Sequence, residues 1–229
     1  MVAVATNVVL VHGAYADGSS WSEVIPRLQA AGLEACAVQH PLTTLEAGVE
    51  VTRRALALTR GPTVLVGHSF AGMIITEAGV DPAVSALVYV AARGPDAGED
   101  YGALAKTFPT APASAGLDWS DGYGRLNEEA FLCDFAGDLP PDRARMLYAV
   151  QGPIADTLFT GKTTQAAWRE KPSWYAVSTQ DRTIDPDLER FMAKRMGATT
   201  IEVASSHLSL VSHPAEISEL ILSAAGRTD

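Results

Sequence analysis

Ser69 lies in a short pattern of residues that can make a serine hydroxyl a nucleophile. Apolar and β-branched residues lead into residues 67–72, which read Gly-His-Ser-Phe-Ala-Gly, and helix-compatible residues follow at once. Where a buried strand turns sharply into a helix, the apical serine is strained, and the positions two residues before and after it must be small. Gly67 and Ala71 meet this condition, although Ala71 stands where glycine is usual. The pattern predicts that Ser69 is a catalytic nucleophile.

A nucleophilic serine needs a base, and histidine supplies it most often. The sequence holds five histidines, which are His12, His40, His68, His207 and His213. The first three lie at predicted strand ends or directly beside the serine, where a role in bracing the backbone is expected. His207 follows the last predicted strand, whereas His213 precedes Pro214 at a predicted helix start and is expected to cap that helix or lie at the surface. We predict that His207 is the base, with His213 as the alternative.

The base needs an acid to orient it, and three aspartates follow the second-to-last predicted strand. Asp181 comes first after this strand, before the proline that opens the next helix. Asp185 and Asp187 are placed like carboxylates at a helix start, where the positive end of the helix dipole favours them. We predict Asp181 as the acid. The resulting chain order of Ser69, Asp181 and His207 is the order expected of a strand–turn–helix nucleophile.

These residues need a scaffold that brings them together, and the hydrophobic pattern predicts one. Short apolar runs typical of buried strands alternate with helical patterns. The predicted strands cover residues 7–11, 34–39, 63–66, 84–91, 173–178 and 199–203, and the clearest helices cover residues 45–60, 187–196 and 214–225. This alternation predicts an α/β fold with a doubly wound, mostly parallel sheet.

The segment of residues 94–172 differs from the rest of the chain in composition and in hydrophobic pattern. It is rich in Gly, Pro, Ala and Asp, has scattered aromatic residues and shows no clear strand, while residues 128–135 and 141–150 look helical. A segment this long is expected to be functional rather than a plain surface loop. We therefore predict a core of residues 1–93 and 173–229, with residues 94–172 as an inserted, mainly helical cap over the edge of the sheet where ligands bind.

Composition excludes several classes of partner. A net charge of −10 argues against nucleic acid, and no basic cluster suits an anionic membrane. The two cysteines, Cys36 and Cys133, lack metal-ligand spacing, and Cys36 is expected to be a buried free thiol. We predict a small-molecule substrate, no metal or other cofactor, and a monomer or homodimer. Because no basic leader or stretch of about 20 apolar residues occurs, a cytoplasmic location is expected.

Four motifs together resemble the α/β-hydrolases along nearly the whole chain. They are Val11-His12-Gly13-Ala14, the turn around Ser69, the Asp181 loop and the His207 loop. More narrowly, residues 12–21, 172–175 and 190–198 resemble small cofactor-free esterases related to plant methyl-ester esterases and hydroxynitrile lyases. The resemblance implies an oxyanion hole made by the backbone N–H groups of Phe70 and Ala14. Gly13 is expected to let the first loop approach closely.

The two branches of this group differ at three positions. The lyases carry Thr where this chain has Gly13, Cys where it has Phe70, and Lys where it has Leu208. Release of cyanide needs a cation near the leaving group, which Leu208 does not supply. These positions favour a serine hydrolase that cleaves a small, largely apolar ester, lactone or thioester through an acyl-enzyme. A lyase, or a small-molecule receptor built on a hydrolase fold, is the alternative.

The substrate pocket is harder to predict, since aromatic residues in a cap often form only its own core. Arg93, just beyond a strand's C-terminal end, is expected either to face the site or to form a salt bridge. The residues expected to contact substrate are Gly13, His68, Trp119, Tyr123, Phe131, Phe135, Phe159, Trp168 and Leu208.

Overall fold

A computed structural model describes residues 4–227 of the chain. The strands are β1 (Asn7–Val11), β2 (Glu34–Val38), β3 (Thr63–His68), β4 (Val84–Val90), β5 (Leu117–Ser120), β6 (Tyr123–Leu126), β7 (Ile154–Ala155), β8 (Ser173–Ser178) and β9 (Thr199–Val203). The α-helices are α1 (Ile25–Ala30), α2 (Leu45–Ala57), α3 (Ala71–Ala78), α4 (Tyr101–Ala105), α5 (Glu128–Ala130), α6 (Pro141–Val150), α7 (Pro186–Met196), α8 (Ser209–Ser212) and α9 (Pro214–Ala224).

Six of these strands form the central sheet, in the order β2-β1-β3-β4-β8-β9. Every neighbouring pair is parallel. The inner strands β1 and β3 are buried along their whole length, which is why they read as continuous apolar runs rather than as alternating patterns. The predicted doubly wound parallel sheet is thus confirmed, and the carboxyl ends of β1, β3, β4, β8 and β9 meet at one edge.

The predicted burial of Cys36 was wrong, because β2 is an edge strand, although the residue is a free thiol as expected. Cys36 lies in β2 and is exposed, as is Cys133 in the segment between β4 and β8. A strand at the edge of a sheet has a neighbour on one side only, so part of its surface stays in water. The apolar neighbours of Cys36 in the sequence gave no sign of this edge position.

Helix boundaries follow local capping signals. The Thr44 side chain accepts a hydrogen bond from the backbone N–H of Ala47 at the start of α2. Helix α7 begins after Asp185, whose carboxylate accepts from the N–H groups of Asp187 and Leu188, and it ends at Gly197 with φ of +62°. Asp185 therefore caps a helix, as expected for the alternative to Asp181.

The insertion, defined here as residues 94–172, leaves the sheet after β4 and returns at β8. It contains α4, α5 and α6, and also a three-stranded antiparallel sheet of β5, β6 and β7 that the sequence pattern did not predict. The reason is that β5 and β6 are short and mostly exposed, so they lack a regular apolar alternation. Within residues 4–227, no helix is long and apolar enough to cross a membrane.

Candidate active site

Ser69 lies at the turn between β3 and α3, with a left-handed φ of +55°. Small neighbours are required there. A Cβ on Gly67 would lie 2.7 Å from the carbonyl oxygen of Ala71, and a Cβ on Gly72 would lie 2.0 Å from the carbonyl oxygen of Arg93. Backbone hydrogen bonds keep Ser69 in this strained conformation. The Ser69 N–H donates to Val90 O, and Ser69 O accepts from the Arg93 N–H at 3.0 Å.

His207 and Asp181 are brought together by the loops that follow β9 and β8. Their contact joins His207 Nδ1 to Asp181 Oδ2 at 2.5 Å, and both side chains are fully buried. The other Asp181 oxygen accepts from the backbone N–H groups of Thr183 and Ile184, at 2.6 and 3.0 Å. With a proton on Nδ1 held by Asp181, the ring presents Nε2 as an acceptor. That Nε2 has no hydrogen-bond partner among residues 4–227.

The remaining candidates for base and acid lie elsewhere. His213 is partly exposed and contacts the Ser212 hydroxyl at 2.9 Å, with Asp138 at 3.8 Å. His12 and His40 stack on each other with ring centroids 4.0 Å apart, and the His40 ring donates to His12 O. This pair braces the loop after β1, as expected for His12.

His68 lies under the base instead of facing substrate, so its predicted substrate contact needs correction. Its side chain is completely buried, and its Nε2 donates to the backbone carbonyl of His207 at 3.0 Å. Burial, together with the charge of the neighbouring His207 ring, holds the pKa of His68 well below its usual range. A neutral His68 is thus a fixed support for the His207 loop.

Glu189 is a site residue that the sequence reasoning missed. It lies in α7 and is fully buried, and its Oε2 accepts from the Ser178 N–H at 3.1 Å. Burial raises the pKa of the Glu189 carboxyl well above its usual range, and the adjacent Asp181 carboxyl raises it further. The Oε1 atom of Glu189 has no hydrogen-bond partner among residues 4–227, so a protonated carboxyl here would have a donor free for a neighbouring group. The available signal was its position on the apolar face of α7, with Leu188 and Met192.

The predicted oxyanion donors remain free in the described part of the chain, where neither the Ala14 N–H nor the Phe70 N–H donates to another residue. Both belong to turns that meet at the serine. Gly13 lies between them, and a Cβ there would lie 2.7 Å from the Ser69 Cβ. Gly13 therefore gives the nucleophile space, in line with the close approach expected of the loop after β1, and its contact with substrate stays a prediction.

A pocket of about 220 Å³ opens over Ser69. Apolar groups form most of its wall, and Arg93 brings a positive charge. The lining residues are Ala14, Tyr15, Ser69, Arg93, Ala113, Ser114, Leu117, Leu126, Phe159, Thr183 and Ile184. Among the aromatic residues of the insertion that were expected to contact substrate, Phe159 lines this pocket.

The other predicted lining residues lie outside it. Trp119 and Tyr123 are 49% exposed on the antiparallel sheet, where the Trp119 ring covers Gly124. The Trp168 indole donates to Pro95 O in the base of the insertion. A separate, smaller cavity is lined by Phe131, Phe135 and Leu208. Phe135 still touches the site, because its ring centroid lies 5.0 Å from that of His207. The pattern of apolar residues along the chain does not distinguish a residue that lines the pocket from one that packs elsewhere, since both kinds are apolar.

Among residues 4–227, no group of three or more His, Cys, Asp or Glu side chains is placed to hold a metal ion. What the arrangement offers is a strained serine, a histidine–aspartate pair, two free backbone donors and a pocket. This set of groups suits acyl transfer.

Comparison with known proteins gives a consistent result. The family model described as the alpha/beta hydrolase family matches residues 8–220. The alpha/beta hydrolase nvfD of Aspergillus novofumigatus (strain IBT 16806) is 25% identical over 242 residues, which cover 96% of each chain. Esterase PIR7B of Oryza sativa subsp. japonica is 24% identical over 256 residues, covering 96% of this chain and 95% of its own. The solved structure of polyneuridine aldehyde esterase has a TM-score of 0.81 at 18% identity, covering 95% and 98% of the two chains.

Proposed function

Since the chain belongs to the α/β-hydrolase family and its relatives include an esterase, we propose that it hydrolyses a small carboxylic ester through an acyl-enzyme on Ser69. Lactones and thioesters present the same carbonyl chemistry and fall within the proposal. The walls of the pocket are mostly apolar, which favours a largely apolar substrate, and its volume of about 220 Å³ favours a small one.

The proposed first half of the reaction forms the acyl-enzyme. Ser69 Oγ attacks the ester carbonyl carbon while His207 Nε2 takes its proton. Asp181 holds the imidazole and stabilises its positive charge. The carbonyl oxygen becomes an oxyanion that accepts from the N–H groups of Phe70 and Ala14. The carbon–oxygen bond to the alcohol then breaks, and the alcohol leaves with the proton from His207.

The second half returns the enzyme to its starting state. Water gives a proton to His207 Nε2 and attacks the acyl carbon, and the same two backbone donors stabilise the new oxyanion. The bond to Ser69 Oγ then breaks, His207 returns the proton to that oxygen, and the carboxylic acid leaves. The observation that carries the proposal is the 2.5 Å contact between His207 Nδ1 and Asp181 Oδ2, with His207 Nε2 left without a partner among residues 4–227.

The test is hydrolysis of p-nitrophenyl butyrate by the wild type and by Ser69→Ala. We expect turnover to fall by about 10⁴-fold or more in Ser69→Ala, because the covalent route is lost. Ser114→Ala is the matched control. Ser114 lines the same pocket, but its hydroxyl donates to Ala111 O. We expect this variant to stay within a few-fold of the wild type.

A fluorophosphonate probe gives a second readout that does not depend on the choice of ester. Mass spectrometry should find one adduct per chain, on the peptide that carries Ser69, and none in Ser69→Ala. An adduct on another serine with Ser69 intact, or full turnover in Ser69→Ala, would contradict the proposed function.

A further inference from the structure

We propose that Arg93 forms an anion subsite beside Ser69, and that the preferred substrate is an ester that carries a carboxylate, such as the monoester of a short dicarboxylic acid. This inference rests on the proposed esterase function and names its substrate class. Neither the composition, with its net charge of −10, nor the apolar walls of the pocket suggests a negatively charged substrate.

Arg93 is positioned by the same turn that holds the nucleophile. It follows β4, and its backbone N–H donates to Ser69 O at 3.0 Å. Its side chain lines the pocket over Ser69, together with Phe159 and Ile184. A second cavity, beside α4, also includes Arg93 in its wall. Arg93 therefore lies in the wall shared by the two cavities.

Three cations of this region each pair with a carboxylate, whereas Arg93 pairs with none in the described part of the chain. Arg169 pairs with Asp96, Arg195 pairs with Glu99 at 2.8 Å, and Lys162 pairs with Asp100 at 3.2 Å. Within residues 4–227, the Arg93 side chain makes no ion pair or hydrogen bond, and its Nε is buried without a partner. A buried donor of a charged group with no acceptor is costly, so such a group is expected to have a partner.

Aromatic rings hold the guanidinium in place without using its donors. Its central carbon lies 4.2 Å from the ring centroid of Phe159, 4.8 Å from that of Tyr101 and 5.8 Å from that of Phe70. A ring face attracts the positive charge but does not accept the N–H groups that point outward in the guanidinium plane. The rings thus fix a planar group, a fork whose terminal N–H donors, unlike the buried Nε, stay available to a ligand.

A carboxylate is the group that this fork fits best here. It matches the spacing of two parallel N–H donors, and these bonds are stronger than those between neutral groups. The remaining wall is mostly apolar, with Leu117, Leu126 and Ile184, which suits a short alkyl chain between the carboxylate and the ester. If Arg93 only packed against the aromatic rings, the enzyme would not prefer a negatively charged ester over a neutral one. This difference is testable.

The experiment compares monomethyl glutarate with dimethyl glutarate, which differ by one methyl group and one charge. We expect the wild type to have a higher kcat/KM for the monoester. Arg93→Gln should lower kcat/KM for the monoester by about 10- to 100-fold, mainly through KM, because the lost contact is made by bound substrate before reaction. The diester should change by less than about threefold, as expected where no charged contact is lost.

Two further variants serve as controls. Arg93→Lys keeps the charge without the fork and should recover part of the loss. Arg125→Gln removes one exposed positive charge from β6, outside the pocket, and should affect both esters equally and weakly. Equal losses for the monoester and the diester in folded Arg93→Gln would overturn the subsite, as would a wild type that prefers the diester.

A binding measurement separates this proposal from the proposed function. Calorimetry should detect monomethyl glutarate binding to Ser69→Ala and a loss of that binding in Ser69→Ala/Arg93→Gln. If Ser69→Ala still hydrolyses esters, the proposed function fails, while calorimetry still decides the role of Arg93. If the wild type hydrolyses only neutral esters through Ser69, the function stands and the subsite fails.

Discussion

Two carboxyl groups, those of Asp181 and Glu189, lie side by side behind His207, and only one of them is expected to carry charge. Two adjacent buried carboxylates repel each other, so one of the pair keeps its proton. Asp181 has two backbone N–H donors and the imidazole as partners, whereas Glu189 has one backbone donor. Glu189 has fewer partners and a raised pKa, so it is expected to be the carboxyl that keeps its proton.

The first prediction follows from this neutral state. Glu189→Gln keeps the shape and supplies a permanent donor, so we expect kcat to stay within about threefold of the wild type across pH 6–9. Glu189→Leu removes the donor and leaves the Ser178 N–H without its acceptor, and kcat should fall by about tenfold or more. Steady-state kinetics with unfolding curves for each variant checks this. A strong loss in Glu189→Gln, with the fold intact, would mean that the ionised form is needed.

The residues expected to do the chemistry could be chosen from the sequence because their signals are local. Small residues around Ser69, and the positions of Asp181 and His207 just after predicted strands, need only the neighbouring sequence. Glu189 and Arg93 gave weak signals, because a charge on an apolar helix face or after a strand has meaning only once its distant partners are known. Trp119 and Trp168 show the same limit, since being aromatic does not tell which side of the insertion a residue faces.

At the level of single elements, the turn from β3 into α3 has the least room for change. Gly72 is the second residue of α3, and it packs against the chain that leaves β4. A methyl group at Gly72 would meet Arg93 O and the Ala92 side chain, so α3 and the segment after β4 must move apart. Because Phe70 and Arg93 lie on these two elements, both the predicted oxyanion donor and the cation would shift.

The second prediction tests this packing. Gly72→Ala should lower the free energy of unfolding by about 1–3 kcal/mol, as overpacking does, and should also lower kcat. Gly102→Ala in α4 is the control, since a Cβ there meets only Asp100 Oδ1 at 3.3 Å and alanine favours a helix. That variant should be as stable as the wild type or more stable by up to about 1 kcal/mol. Urea unfolding followed by tryptophan fluorescence measures both, and equal stability of the two variants would contradict the packing argument.

The elements of the sheet were predictable because buried strands are short, apolar and well separated from helices. The strands of the insertion were not, since β5 and β6 are only four residues long each and form by pairing with each other and with β7. Their residues alternate poorly, and β7 has only two residues. Pairing of this kind depends on contacts between distant positions, which a pattern along the chain does not show.

For the molecule as a whole, the buried histidines link stability to pH. Burial, with the charge of the neighbouring His40, lowers the pKa of His12 to about 3, and burial also lowers the pKa of His40. Together with His68, these rings stay neutral in the folded protein but titrate near 6.5 once unfolded. Below that pH the unfolded chain binds more protons, so the stability due to these groups is full above pH 6.5 and is lost as the pH falls.

The third prediction is a lower free energy of unfolding at pH 5 than at pH 7. Each histidine that takes up a proton on unfolding contributes a slope of about 1.4 kcal/mol per pH unit. Glu189 opposes this slope, because its raised pKa makes stability fall as the pH rises above about 4.3. Urea unfolding at pH 5, 6 and 7 measures the net effect of the histidines and Glu189 on the free energy of unfolding. In His40→Gln this free energy should change less with pH than in the wild type. Equal free energies of unfolding at pH 5 and pH 7 would show that burial does not keep the histidines neutral in the folded protein.

The place where the insertion joins the sheet affects how this protein can change in evolution. It leaves after β4 and returns at β8, and these two strands are paired neighbours, with Leu87 opposite Ser173 and Val90 opposite Ala176. Closing a loop of its length costs only about 2 kcal/mol more than closing a ten-residue loop. Evolution can therefore lengthen, shorten or exchange this segment between relatives while the sheet, the serine turn and the histidine loop stay as they are. Five of the eleven residues that line the pocket would change with it, so new substrate ranges can arise by recombination at two adjacent strand ends rather than by rebuilding the enzyme.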